Sequence, residues 1–299
     1  MEERIRNVTV VGSGTLGTQI AILAACFGYD VCVYDADENA FKRVRENLKS
    51  FMKTSRTKAM LPIEDWEKGA DRVNLCERLE EALRDAGIVI EAVPEDLKIK
   101  RDLFKRLDAL APRGAILATN SSSIPISKIE SATNRPEKCL NIHFYSPAMG
   151  LNMVDIMGGT RTAIDTIEAG KNWIRSIGCL PLTVKKESLG FCFNRVWRAI
   201  KRETLYMWAE GFVDFKDIDR AWMIFTKMPH GPFGLMDAVG LDVVHDIEMV
   251  YFNESQDPRD RPPEALGAMV EKGELGVKTG KGFYTYPDPE FSRPDFVKG

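Results

Sequence analysis

Hydrophobic and polar positions follow two different patterns along the chain. Up to about residue 186, short apolar runs alternate with longer segments in which apolar residues recur at helical spacing. The short runs predict strands at residues 5–11, 31–34, 73–76, 87–93, 115–119, 139–144, 153–157 and 180–184. Strands that alternate with helices are typical of an α/β fold with a doubly wound, mostly parallel sheet.

Beyond about residue 186 the strand-like runs nearly disappear and helical spacing dominates. We expect helices near residues 190–211, 215–227, 233–252 and 263–272, with a break in the third at Gly240. The pattern therefore predicts two domains, an α/β domain over residues 1–186 and an all-α C-terminal domain over residues 187–299. Residues 287–299 are expected to form a loosely held tail.

The first predicted strand ends in a glycine-rich loop that leads directly into an apolar helical run. This order is typical of the Rossmann-type dinucleotide fingerprint. Gly12 would allow the tight turn, Gly14 would let the backbone approach a pyrophosphate, and Gly17 would let the helix pack closely on the strand. The candidate cofactor contacts in this loop are Gly12, Ser13, Gly14, Thr15, Leu16 and Gly17. A tight βα turn that binds nothing is the alternative.

Asp35 ends the second predicted strand, 23 residues after Gly12. A carboxylate at this place accepts hydrogen bonds from the adenosine ribose hydroxyls. It would also repel the 2′-phosphate of NADP, and Asp37 and Glu38 would add to that repulsion. The sequence therefore predicts NAD as the cofactor.

Composition narrows the function classes. The chain has 299 residues, of which 44% are hydrophobic and 28% charged, as is ordinary for a soluble globular protein. A net charge of −3 gives no bias toward nucleic acid, and no apolar run reaches membrane-spanning length. The six cysteines lack metal-binding spacing. We expect a cytoplasmic protein with reduced thiols, no metal, and no nucleic-acid or membrane partner.

One segment is strongly basic. Between Lys42 and Lys58 the chain carries seven basic residues and a single acid, Glu46. A solvated helix face would account for this, and so would a docking surface for a polyphosphate ligand.

His143 is the histidine best placed for chemistry among the three in the chain, because it lies near the end of a predicted strand. In an open α/β sheet the carboxyl ends of the strands line the ligand crevice. Asp155 follows 12 residues later, in the next predicted strand. Its carboxylate could hold the imidazole in one tautomer and favour the protonated form. The alternative is an apolar strand with one satisfied polar residue.

Several long stretches, in the same order along the chain, resemble the L-3-hydroxyacyl-CoA dehydrogenase family, which includes the short bacterial 3-hydroxybutyryl-CoA dehydrogenases. The resemblance covers nearly the whole chain. The matching stretches are VTVVGSGTLG, EAVPEDLKIKRDLFKRLD, TNSSSIPISKI, IHFYSP with VDIM, GFCFNR, MPHGPFGLMDAVGLD and GVKTGKGFYTY.

The resemblance implies NAD-dependent, reversible oxidation of a 3-hydroxyacyl-CoA, with His143 as the general base. Asp155 falls where the family usually has Glu, and a side chain shorter by one methylene needs a closer backbone approach to the imidazole. Ser122 and Asn194 match the family residues that contact the reacting oxygen. Dimerisation through the helical domain is also implied.

Four further site residues come from the same resemblance. Asn120 matches a residue that lines the nicotinamide site, Glu95 and Lys100 match residues beside the nicotinamide ribose, and Lys58 matches a lysine that meets CoA. The chain departs from the family pattern around the acyl site, at Phe51, Ser146, Ala148-Met149-Gly150 and Gly234.

Two alternatives keep the fold and change the function. The substrate could be a free 3-hydroxy acid, as for the related gulonate dehydrogenases. The chain could also be a non-catalytic, NAD-binding structural protein, as is the related lambda-crystallin of the lens. Retention of His143, Ser122 and Asn194 argues against the second alternative.

Overall fold

An eight-stranded sheet organises the first part of the chain in the computed structural model, which describes residues 5–54, 60–148 and 150–298. The chain divides into two units, Met1–Cys192 and Phe193–Gly299. The division falls a few residues beyond the change of sequence pattern near residue 186.

The strands lie where the apolar runs predicted them. Their order in the sheet is β3-β2-β1-β4-β5-β6-β7-β8. Neighbouring strands are parallel except for β6 and β7, which are antiparallel. The strands are β1 (Asn7–Val11), β2 (Asp30–Tyr34), β3 (Asn74–Leu75), β4 (Ile88–Glu91), β5 (Ile116–Thr119), β6 (Cys139–Phe144), β7 (Met153–Gly158) and β8 (Leu180–Val184).

Helices cover both faces of this sheet. Val10 and Val11 are neighbours on β1, and their side chains belong to two different hydrophobic clusters. Val10 packs in the cluster that contains Leu23 of α1, and Val11 in the one that contains Phe104 of α5. The predicted doubly wound arrangement is therefore confirmed. The helices are α1 (Thr15–Cys26), α2 (Ala40–Thr54), α3 (Ile63–Asp71), α4 (Leu79–Leu83), α5 (Leu97–Leu110) and α6 (Ile164–Ser176).

The second unit is helical, as predicted. Gly240 separates α9 from α10 because its φ of 101° lies in the region that favours glycine. The helices are α7 (Phe193–Ala209), α8 (Phe215–Thr226), α9 (Pro232–Val239), α10 (Leu241–Ser255) and α11 (Glu264–Glu271).

Two buried aspartates of these helices accept hydrogen bonds from the C-terminal segment. Asp237 accepts hydrogen bonds from the amides of Phe283 and Tyr284, each at 2.9 Å, and from the Tyr286 hydroxyl at 3.0 Å. Asp219 accepts from the Tyr284 hydroxyl at 2.9 Å. Removal of either carboxylate would leave several buried donors without an acceptor, which is costly.

The prediction of a loosely held tail was wrong. Phe296 is only 6% exposed and belongs to the same hydrophobic cluster as Phe233 and Tyr284. The ring of Phe291 also packs edge-on against Tyr284, with centroids 4.9 Å apart. A few aromatic side chains anchor a segment whose proline-rich and polar composition suggested otherwise.

Acidification is expected to stabilise the helical unit through Asp219. Burial raises the pKa of this carboxyl from 3.8 to about 6, although the Phe233 and Gly234 amides and the Tyr284 hydroxyl donate to it. The folded chain therefore binds this proton more tightly than the unfolded chain, so the group's contribution to the unfolding free energy falls as pH rises through this window. Between pH 5 and pH 7 the loss should be about 1 kcal/mol in denaturant unfolding.

Asp219→Asn should lack this pH dependence, whereas Asp246→Asn should keep it, because Asp246 has an 84% exposed side chain. Parallel pH dependences for the parent and Asp219→Asn would contradict the assignment.

Candidate active site

Two glycines of the loop after β1 are required by the fold itself. Gly12 has a φ of 98°, and a Cβ there would lie 2.6 Å from the carbonyl oxygen of Ala92. A Cβ on Gly17 would lie 1.9 Å from the carbonyl oxygen of Gly12. Both positions therefore need glycine so that the loop can turn and α1 can approach the sheet.

Gly14 has a different role. Its φ of −62° suits any residue, and a Cβ there would meet nothing within 4 Å. It is also the N-cap of α1, which has no side-chain cap and no acidic residue in its first turn. The backbone N–H groups of Thr15 and Leu16 begin this helix, where an anion is favoured. The open space at Gly14 fits the pyrophosphate of a dinucleotide.

Asp35 is held in place by the same loop. Its Oδ2 accepts hydrogen bonds from the Ser13 amide at 2.5 Å and from the Ser13 hydroxyl at 2.9 Å. Its Oδ1 accepts from the Asp37 amide at 2.9 Å. Ser13 itself is fully buried, so it orients the carboxylate and does not present its own hydroxyl to a ligand.

His143 and Asp155 face each other across β6 and β7. They are direct partners in the antiparallel register, and Nδ1 of His143 lies 3.4 Å from Oδ2 of Asp155. Both side chains are buried, with residue exposures of 4% and 0%. The hydroxyl of Tyr145 also donates a hydrogen bond to Oδ2 of Asp155. Because Nδ1 faces the carboxylate, Nε2 is the nitrogen left to meet a substrate.

Two aromatic rings fix the plane of the imidazole. Phe191 stacks on His143 with centroids 5.0 Å apart and an interplanar angle of 6°. Tyr145 packs edge-on at 4.7 Å. The sequence analysis did not identify either ring. Tyr145 follows His143 by two positions, which places both on one face of an extended chain. Phe191 is distant from His143 in the sequence, so no comparable spacing could have identified it.

Asn120 connects the end of β5 to the end of β6. Its Oδ1 accepts a hydrogen bond of 2.9 Å from the amide of Phe144, the residue after His143. Ser122 is exposed in the loop that follows Asn120. The predicted residues Asn120, His143 and Asp155 thus lie at one edge of the sheet, since β7 runs against β6.

A buried polar network fixes the loops after β4 and β5. Lys100 is 1% exposed, and its Nζ lies 2.6 Å from Glu91 Oε1 and 3.2 Å from Glu95 Oε2. Glu91 Oε2 also accepts from the Thr119 hydroxyl at 2.7 Å. Lys100 therefore acts as an internal counter-ion. The sequence analysis did not identify Glu91, because it lies within an apolar strand.

Glu95 lies between this network and the serine loop. Its Oε1 accepts hydrogen bonds from the Ser121 hydroxyl and from the amide and hydroxyl of Ser123, the last two at 3.0 and 2.7 Å. Burial raises the pKa of Glu95, but these hydrogen bonds and the charge of Lys100 more than offset it, so the pKa lies below its ordinary value. Glu95 is therefore ionised at neutral pH and remains an acceptor.

Surface salt bridges occupy part of the basic segment. Arg43 pairs with Asp37 at 2.8 Å, Arg45 with Asp71 at 2.7 Å and Lys49 with Glu67 at 2.6 Å. These pairs favour the interpretation of α2 as a solvated helix face.

The two remaining predicted residues are Lys58 and Asn194. Lys58 lies outside the described residues. Asn194 lies in the first turn of α7, in the helical unit. Among the described helices, none combines the length and the apolar composition that a membrane span needs. Among the described residues, no three or more His, Cys, Asp or Glu side chains are grouped so that they could hold a metal ion.

Comparison with known proteins identifies the family. Residues 7–188 match the model of the 3-hydroxyacyl-CoA dehydrogenase NAD-binding domain, and residues 190–286 match the model of the C-terminal domain of the same enzymes. The chain belongs to the 3-hydroxyacyl-CoA dehydrogenase family. The predicted NAD cofactor is thereby confirmed, as is the prediction of an oxidoreductase that acts on a CH–OH group.

The relatives within this family differ in substrate. A 3-hydroxybutyryl-CoA dehydrogenase of Clostridioides difficile is 34% identical over 94% of this chain and 99% of its own length. A 5-formyl-3-hydroxy-2-methylpyridine 4-carboxylate 5-dehydrogenase of Mesorhizobium japonicum is 32% identical over 94% and 91%. A solved structure of a diketoreductase, which acts on dicarbonyl compounds, is 33% identical, with a TM-score of 0.83 over 95% of this chain and 100% of its own.

Alanine at two loop glycines should separate folding from cofactor binding. Gly14→Ala should fold with an unchanged melting temperature but bind NADH at least tenfold more weakly, because the added methyl enters the space for the pyrophosphate. Gly17→Ala should instead lower the melting temperature by several degrees, since its methyl meets the Gly12 carbonyl. Thermal unfolding and NADH fluorescence titration measure the two effects. Normal NADH affinity in Gly14→Ala would contradict this account.

Proposed function

We propose that this family member oxidises a 3-hydroxyacyl-CoA to the 3-oxoacyl-CoA, reversibly, with His143 as the general base. The observation that carries the proposal is the buried pair of His143 and Asp155 at the carboxyl edge of the sheet, where the glycine loop also lies. Bound NAD would accept the hydride from C3 of the substrate. The proton of the 3-hydroxyl would pass to Nε2 of His143.

The other site residues have supporting roles in this proposal. Asp155 would favour the imidazolium that forms when His143 takes the proton. Ser122 and Asn194 would donate hydrogen bonds to the 3-oxygen. Asn120 would border the nicotinamide, and Glu95 would accept from its ribose. Lys100 would act through Glu95 because it is buried.

Two observations support a CoA thioester as the substrate: relatives are named 3-hydroxybutyryl-CoA dehydrogenase, and Lys58 matches a position that contacts CoA in the family. A second candidate is a free hydroxy acid or other small hydroxy compound without CoA. Two observations favour it. Relatives named for substrates without CoA are 32% and 33% identical to this chain, against 34% for a relative named for a CoA substrate. Three of the basic residues on α2 are also paired with acids.

His143→Ala should lower kcat by about a thousandfold with 3-hydroxybutyryl-CoA and NAD, since a positioned general base contributes roughly 10²–10⁴-fold. NADH affinity, measured by fluorescence, should remain within a factor of two or three. The matched control is His245→Ala, whose histidine has a 29% exposed side chain on α10 of the other unit. Near-normal turnover in His143→Ala would contradict the assignment of the base.

The same assay, run with three forms of the substrate, tests whether the enzyme recognises the CoA moiety. 3-Hydroxybutyryl-CoA, its N-acetylcysteamine thioester and free 3-hydroxybutyrate share the reacting carbon. The N-acetylcysteamine ester lacks the phosphates of CoA, and the free acid lacks both the phosphates and the thioester. If CoA is recognised, KM should rise at least tenfold without the phosphates, and Lys58→Glu should raise KM for the CoA ester only. Equal kcat/KM for all three would favour the second candidate, and no NADH from any of them would refute the proposal.

A homodimer formed through the helical unit is part of the proposal. Val243, Ile247 and Val250 recur at helical spacing along α10, and Val239 is the last residue of α9. The exposed fractions are 43% for Val239, 41% for Val243, 39% for Ile247 and 46% for Val250. Exposure of several apolar side chains on one helical unit is unfavourable in water. Association of two copies would bury these side chains.

Ile247→Glu should shift the protein to monomer in light scattering coupled to size exclusion, because a charge would have to be desolvated in the interface. Val277→Glu is the control, since Val277 is 48% exposed but lies off α10, in a short 3₁₀ turn. A parent protein that is monomeric at micromolar concentration, or an unchanged dimer in Ile247→Glu, would contradict this interface.

A further inference from the structure

The carboxylate behind His143 has an unusual set of partners. Asp155 is fully buried, and its contacts with Nδ1 of His143 and with the Tyr145 hydroxyl are both made by Oδ2. Within the described part of the chain, Oδ1 has no hydrogen-bond partner. The contact with His143 is 3.4 Å long, near the limit of a hydrogen bond. The hydroxyl of Tyr145 is thus the closer partner of this carboxylate.

We propose that Tyr145 is a positioning residue, whose hydroxyl holds the short Asp155 side chain where Oδ2 can meet Nδ1 of His143. This inference rests on the proposed role of His143 as the base. An aspartate reaches the imidazole less far than a glutamate would, and the torsion that turns its carboxylate is broad. With Oδ2 fixed by the tyrosine, the carboxylate can orient the ring without a longer side chain.

The surroundings of Tyr145 suit this role. Tyr145 is 7% exposed and its ring packs edge-on against His143, so the phenol and the imidazole restrict one another. Phe191 closes the other face of the imidazole by stacking. Among the residues that the structure describes, the titratable groups in contact with His143 are Asp155 on β7 and Tyr145 after β6. Loss of the hydroxyl would leave a buried carboxylate with only the long contact to His143, which is costly.

The proposal predicts a compensating pair of substitutions. Tyr145→Phe removes one oxygen from the site, and Asp155→Glu adds one methylene to the carboxylate arm. The exchange nearly conserves volume in a buried place, which is the kind of change that cores tolerate best. A glutamate in the vacated space would reach Nδ1 without help from a hydroxyl. Asp155→Glu alone would be crowded by the Tyr145 hydroxyl.

The first test is steady-state kinetics with 3-hydroxybutyryl-CoA. Tyr145→Phe should lower kcat about tenfold, a part of what a positioned base contributes, and leave KM for NAD unchanged. Tyr145→Phe with Asp155→Glu should recover kcat to within about threefold of the parent, and Asp155→Glu alone should not. Tyr29→Phe is the matched control, because the Tyr29 hydroxyl bonds to Ser176 in an exposed place. Thermal unfolding checks that all variants fold.

The second test does not need turnover. The chain has only three histidines, so ¹⁵N-histidine labelling gives few ring signals, and His143→Ala identifies those of His143. Tyr145→Phe should shift the Nδ1 signal of His143, and the double variant should return it toward the parent position. An unchanged kcat and unchanged Nδ1 signal in Tyr145→Phe would overturn the proposal, and so would a double variant no more active than Tyr145→Phe. Absence of turnover in the parent enzyme would refute the proposed function, and the ring signals would still decide the role of Tyr145.

Discussion

The antiparallel pairing of β6 with β7 is the interaction on which the candidate site depends. In the rest of the sheet, neighbouring strands are parallel, so the start of one strand lies far from the end of the next. The reversal at β7 brings Asp155, near the start of its strand, opposite His143, near the end of β6. A buried carboxylate thereby lies behind an imidazole at the edge where a doubly wound sheet binds its ligands.

Buried hydrogen bonds and an ion pair hold the remaining parts of the site in place. Lys100 neutralises Glu91 in the interior, and Thr119 satisfies the second oxygen of that carboxylate. Asn120 ties β5 to β6 by bonding the Phe144 amide, and Ser13 holds Asp35 beside the glycine loop. These buried hydrogen bonds and this ion pair fix the strand ends and loops that surround the candidate site. Such preorganisation suits a reaction in which proton and hydride must leave neighbouring atoms.

Much of this could be predicted from local pattern. The strands, the break at Gly240 and the loop glycines have signals in residue type and spacing, and the His143–Asp155 pairing follows from two successive strands. Phe191 and Glu91 could not be foreseen in the same way, and the spacing of Tyr145 from His143 indicates a shared face but no role. A tyrosine and a phenylalanine are ordinary core residues, and a glutamate in an apolar strand gains meaning only once its counter-ion is seen. The packed tail was missed because burial of Phe296 depends on contacts distant in sequence.

The central proposal is that His143 handles the proton of the reacting hydroxyl, and it is supported by family membership and by the geometry of β6 and β7. The most direct measurement is the distance from Nε2 of His143 to the 3-oxygen in crystals of the enzyme with NADH and acetoacetyl-CoA. The account predicts a hydrogen-bond distance of about 3 Å, with Nδ1 still facing Asp155. An imidazole whose Nε2 points away from the 3-oxygen, with another side chain in its place, would contradict it.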